Sequence, residues 1–80
     1  MTPDKIRKRL EECASLFAFE IDGKEGHVDP CYSKENGFLY YLWFEGEEKT
    51  VYTIDDTMNI PFFAGHSLLE IADKITIIEW

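Results

Sequence analysis

Hydrophobic residues change period along this chain, and the changes mark out its elements. Ile6, Leu10, Cys13, Ala14 and Phe17 fall at i, i+4, i+7, i+8 and i+11, one stripe of an α-helix. Thr2 as N-cap, Pro3 at the first helical position and Asp4 near the positive end of the dipole give that helix a start. The pattern predicts a helix from about Pro3 to Leu16. Phe17, Phe19 and Ile21 then alternate with Ala18, Glu20 and Asp22, the period of a strand. The run "DGKEG" ends this strand and "HVD" opens the next. A four-residue loop Asp22–Glu25 sets Phe19 opposite Val28, both facing the core. A tighter Asp22-Gly23 turn opposes Glu20 and Glu25, like charges that repel, so the longer loop is expected. At Asp29-Pro30 the strand should turn, because proline cannot donate to a ladder and restricts the residue before it.

Beyond the polar break Ser33–Gly37, "FLYYLWFE", "GEEK" and "TVYTI" read as two strands around a turn, a hairpin over Phe38–Ile54. Asp55–Asn59 has room for one helical turn before Pro61, and "FFAGH" reads as a connector. Ser67-Leu68-Leu69-Glu70 is a capping box opening a short helix to about Lys74. The tail "ITIIEW" has strand composition. The order α-β-β-β-β-α-β over residues 1–80 implies a single α+β domain. Its antiparallel sheet of four to five strands carries two helices packed on one face.

The hairpin departs from that plan in one respect. Phe38, Tyr40, Leu42 and Phe44 point one way and Leu39, Tyr41 and Trp43 the other, so both faces are apolar. A sheet covered on one side should be polar on its other side. Either a long loop or the C-terminal segment covers the second face, or that face is a contact surface. Tyr and Trp are enriched where partners dock. Leu39, Tyr41, Trp43, Glu45 and Tyr52 are therefore the candidate interaction surface.

Charge changes the picture of the partner. The chain carries a net charge of -8. Residues 1–9 hold Lys5, Arg7, Lys8 and Arg9 against Asp4; the rest hold four lysines against fifteen acids. Such a field repels nucleic acid and anionic membrane and steers a basic partner toward the domain, besides keeping it soluble. No secretory leader is visible in the charged segment Met1–Leu10, and no apolar run approaches the ~20 residues that span a bilayer. Two cysteines are too few for a disulfide framework, which makes a reducing cytoplasm with free thiols the expectation.

Candidate chemistry is sparse. Cys13, His27, Cys31 and His66 match the ligand number of a structural zinc site, but only His27 and Cys31 approach a ligand pair in spacing. Cys13 belongs to the helix stripe, which argues against zinc, and a reducing compartment argues against a Cys13–Cys31 bridge. His27, Asp29 and Cys31 imitate a Cys-His-Asp triad on one strand face, yet side chains two apart on a strand sit too far apart for triad hydrogen bonds. "DGKEGHVDPCYS" begins like a calcium loop and then places Lys24, Gly26, His27 and Ser33 at the wrong positions. The basic run "KIRKR" and the helix–strands–helix order superficially resemble a double-stranded-RNA-binding domain. The later helix start "GHSLLEIADK" lacks that family's lysine cluster, and Glu11 and Glu12 compensate the basic groups locally, as on a solvated helix face. The acids Glu45, Glu47, Glu48, Asp55 and Asp56 fit ordinary turn and helix-start positions, and equally a rim for a cationic partner.

"DGKEGHVDP", "YLWFEGEE" and "YTIDDTMNIPFFAGHSL" together resemble short bacterial proteins of similar length with no assigned activity, over roughly residues 19–71. The resemblance implies a bacterial, cytoplasmic setting and carries over no functional residue. Lys often stands in those proteins where this chain has His66, which argues against a ligand role there. The expectation is a small, acidic, non-enzymatic interaction domain without cofactor, self-associating or binding a basic protein partner. The rival is a small metal-binding or thiol-based protein built on His27, Asp29 and Cys31.

Overall fold

Thr2 caps the first helix, its hydroxyl accepting from the Lys5 N–H at 3.3 Å, and α1 runs Pro3–Glu11 in the computed structural model, which describes residues 1–12 and 15–80. The helix is shorter than the stripe predicts. The Glu12 N–H closes it on Lys8 O at 3.1 Å, while Ser15 and Leu16 already lead into the sheet. Cys13 and Ala14, the middle of the expected stripe, lie outside the described residues. Ile6 and Leu10 bury its apolar side fully.

Among the described residues five strands follow the alternation: β1 (Phe17–Ile21), β2 (Lys24–Ser33), β3 (Gly37–Phe44), β4 (Glu47–Val51) and β5 (Thr76–Glu79). They form one antiparallel sheet in the order β4-β3-β2-β1-β5. Among the described residues three short helices accompany it, the helical turn expected at Asp55–Asn59 being the third. Besides α1 there are α2 (Ile54–Asn59), capped by Thr53, and α3 (Leu68–Ile71), whose Ser67–Glu70 capping box forms as expected. The Ser67 backbone N–H and then the His66 ring hold the Glu70 carboxyl below its usual range. The architecture is α+β.

The topology explains which face is covered. The chain leaves β4 at one edge and must reach β5 at the other, ~19 Å across four strand spacings. It crosses on the side where α1 already lies, through α2, the Phe62-Phe63 segment and α3. All three helices therefore share one core with Phe17, Phe19, Val28, Tyr40, Leu42, Phe44 and Val51 of the sheet. Phe63 sits at its centre, edge-on to Phe19, Phe44 and Phe62 with centroids 5.3, 5.8 and 5.1 Å away.

Two local expectations are overturned. The first hairpin uses the tight Asp22-Gly23 turn: Ile21 pairs with Lys24, Glu20 with Glu25 and Phe19 with Gly26, while Phe17 takes the place opposite Val28. Both turn residues have positive φ, 51° and 77°, the type I′ geometry that matches strand twist. Opposed exposed carboxylates cost ~0.2–1 kcal/mol. The tight turn is adopted despite that cost, because Asp22-Gly23 supplies the paired positive φ that joins two twisted strands and Gly26 leaves room for the Phe19 ring over its bare backbone. The second concerns Asp29-Pro30, where the strand does not turn. β2 continues in register with β3 from Gly26 through Ser33. β1 covers β2 only as far as Val28, so Pro30 lies where β2 has a neighbour on one side alone, the setting that tolerates proline.

The β3–β4 connection is likewise the two-residue turn Glu45-Gly46, and Glu47–Val51 rather than "TVYTI" forms the strand. Ala64-Gly65 repeats the geometry between Phe63 and His66, whose backbones exchange two hydrogen bonds of 3.0 Å. Here alanine stands at φ 55°, a left-handed position costing a Cβ residue about 1–2 kcal/mol. Ala64→Asn, whose side chain tolerates that region, should raise the urea midpoint by the equivalent of ~0.5–1 kcal/mol with an unchanged slope. Ala64→Val should lower it. A Val variant as stable as the parent would show that this turn is not strained.

The basic segment also differs from the solvated helix face expected of it. Arg7 pairs with Asp55 of α2 at 2.8 Å. Arg9 is buried, donating to the Ser15 and Trp80 carbonyls with its guanidinium 5.4 Å from the Trp80 ring. Trp80 in turn lies 5.3 Å from Phe17. These contacts tie α1 to the end of β5. No helix among the described residues is long and apolar enough to cross a membrane.

Candidate interaction face

The alternation of β3 divides its aromatics as the sequence predicts. Tyr40, Leu42 and Phe44 enter the core, whereas Leu39, Tyr41 and Trp43 point to the face away from the helices. Phe38 belongs to the helix side by alternation and lines a surface hollow with Leu10, Glu11 and Ile54, 53% exposed and 5.2 Å from the Tyr32 ring. No helix or strand among the described residues covers the opposite face.

The candidate residues do not all behave alike. Leu39 is buried at 5%, paired with Cys31 of β2. Tyr41 is 48% exposed and pairs with Thr50; Trp43 is half-buried and pairs with Glu48. Glu45 sits in the β3–β4 turn at φ 47°. Tyr52 directly follows β4 and is 58% exposed. Leu39, Tyr41 and Trp43 thus form a column along one strand, with Glu45 at one end of it.

Register adds a residue that alternation alone did not place. His27 of β2 is the direct partner of Trp43, and the two rings stack 4.8 Å apart at 26°. His27 Nε2 donates to the Glu25 carboxylate at 2.9 Å. The indole is thereby held from the β2 side, which fixes an otherwise mobile aromatic at the centre of the face. A search for aromatic cross-strand pairs would have found it only once the register of β2 with β3, which closes at Ser33 and Gly37, was known.

Tracing the same alternation across the sheet assigns the charges. Glu20 of β1, Glu25 and Asp29 of β2, Glu48 of β4 and Glu79 of β5 share the helix-free face with Tyr41 and Trp43. No Lys or Arg occupies a strand position on that side. Lys24 and Lys49 fall on the helix side, opposite Ile21 and Leu42 respectively. The face is an aromatic centre inside a carboxylate rim.

His27, Asp29 and Cys31 do share this face, because the strand stays regular through Pro30. Their convergence ends there: His27 is engaged by Glu25 and Trp43, and among the described residues no three His, Cys, Asp or Glu side chains come together as metal ligands would. Of the other residues counted for zinc, His66 lies 3.6 Å from Glu70 on α3 and Cys13 is outside the described residues. Comparison of the chain with known protein families, with characterised proteins and with solved structures finds no significant match.

Proposed function

We propose that this chain is a small, acidic, non-enzymatic interaction domain of the cytoplasm that binds a basic protein through the helix-free face of its sheet. One observation carries the reading. Tyr41 and Trp43 stand exposed or half-exposed on a face whose strand positions, among the described residues, hold Glu20, Glu25, Asp29, Glu48 and Glu79 and no Lys or Arg. Exposed aromatics supply the contact area that anchors an interface, and a single-signed rim selects the sign of its partner.

Self-association through the same face is the weaker version. Two copies stacked on it would bring both carboxylate rims together, and like charges across an interface cost several kcal/mol. The expected solution state is therefore a monomer. Co-purification from the native cells should recover a basic protein with the parent chain and lose it with Tyr41→Ala and Trp43→Ala, both still folded by circular dichroism. A homodimer that those substitutions split would sink the choice of a basic partner. If both variants simply unfold, the rings are core and the face is no contact surface.

A further inference from the structure

Within the helix-free face, the strand pair β3–β4 forms a hollow of about 320 Å³ lined by Tyr41, Trp43, Glu48 and Thr50, together with Leu42 and Lys49. The first four project into it as two direct cross-strand pairs, Tyr41 with Thr50 and Trp43 with Glu48. Leu42 and Lys49, a cross-strand pair themselves, belong by alternation to the helix side of the sheet. The Leu42 side chain is buried in the core, and Lys49 lines a separate hollow against α2 with Asp56 and Asn59. From the helix-free side the hollow thus offers two aromatic rings, a carboxylate and a hydroxyl.

From this geometry we infer that the hollow is a subsite for an arginine side chain of the partner. The inference rests on the proposed binding of a basic protein and names the group that is read. A planar guanidinium stacks on an aromatic ring and presents paired N–H donors to a carboxylate, and here ring and carboxylate are neighbours across one strand pair. His27 occupies one side of the Trp43 indole, so the ring is already fixed and its other side is left toward Glu48. Preorganisation of that kind removes ordering cost from binding. An ammonium ion fits less well, since it is compact, strongly hydrated and cannot stack. Purely apolar side chains would leave Glu48 desolvated without a partner, which selects against them.

The test uses the full chain, labelled for NMR, and an acetylated Gly-Arg-Gly-Arg-Gly amide. Its counterpart carries citrulline, a neutral isostere, in place of arginine. The arginine peptide should shift the Trp43 indole N–H and the amides of Tyr41 and Thr50, and the citrulline peptide should not. Glu48→Gln should weaken the arginine peptide about tenfold, the effect of one charge-assisted contact. Glu79→Gln, the same change in net charge on the opposite edge of the same face, should weaken it only about twofold by screening. Equal losses from the two substitutions, or equal shifts from both peptides, would overturn the arginine subsite while leaving a diffuse acidic surface. A basic peptide that moves no resonance of this face would overturn the proposed binding face itself.

Discussion

Phe63→Ala is expected to remove ~3–5 kcal/mol of folding free energy, the cost of emptying a buried aromatic site. Marginal stability runs at ~0.05–0.15 kcal/mol per residue, or roughly 4–12 kcal/mol for a chain of this length. One truncation would therefore consume about a quarter of the stability at the least, and at the weak end of that range nearly all of it. Phe63 is 1% exposed and makes edge contacts with Phe19 of β1 and Phe44 of β3. It is the point where the crossing between α2 and α3 is fastened to the sheet. Its neighbour Phe62 is only half-buried and lines a surface hollow with Pro61, Ala64 and Gly65. Phe62→Ala should accordingly cost less than half as much. Urea unfolding of both variants separates the two; equal losses would mean that the crossing is not anchored through Phe63.

Nothing local in "FFAGH" distinguishes these two phenylalanines, and that is typical of what the sequence did and did not reveal. Elements set by short-range pattern were legible: α1 from its cap and stripe, the alternating strands, the Ser67–Glu70 box. The division of Leu39, Tyr41 and Trp43 from Tyr40, Leu42 and Phe44 also followed from period two alone. Features decided by a partner far along the chain were not. Arg9 looked like part of a solvated basic face because its acceptor, the Trp80 carbonyl, is seventy-one residues away. Pro30 looked like a strand end because its tolerance depends on where β1 begins. His27 was a candidate ligand by spacing alone; its place beside Trp43 depends on the β2–β3 register, as the place of Phe19 opposite Gly26 depends on the two-residue turn Asp22-Gly23. The carboxylate rim needed all four strand pairings before it could be seen as one face.

That turn is open to a direct test at Gly26. A strand glycine usually weakens its strand, so by propensity Gly26→Ala should stabilise by ~0.5–1 kcal/mol. Packing predicts the opposite sign. A Cβ at Gly26 would lie 2.5 Å from Cζ and 2.8 Å from Cε2 of Phe19. The ring has little freedom to withdraw, since it is fully buried with Phe63 edge-on at 5.3 Å and Phe17 at 6.4 Å. Overpacking of this kind costs ~1–3 kcal/mol, and a contact this short in an immobile ring belongs at the upper end. Gly26→Ala should thus lower Tm by ~8–20 °C in a chain this size. Steric origin has a second signature. Phe19→Leu destabilises on its own, but it removes the atoms that the new Cβ would meet. In that background Gly26→Ala should be neutral or mildly stabilising, giving a coupling of ~2 kcal/mol in the double-mutant cycle. Additive losses would mean that Phe19 does not lie over Gly26. The β1–β2 register set by Asp22-Gly23 would then be wrong, and with it the pairing of Glu20 with Glu25 in the carboxylate rim of the proposed face.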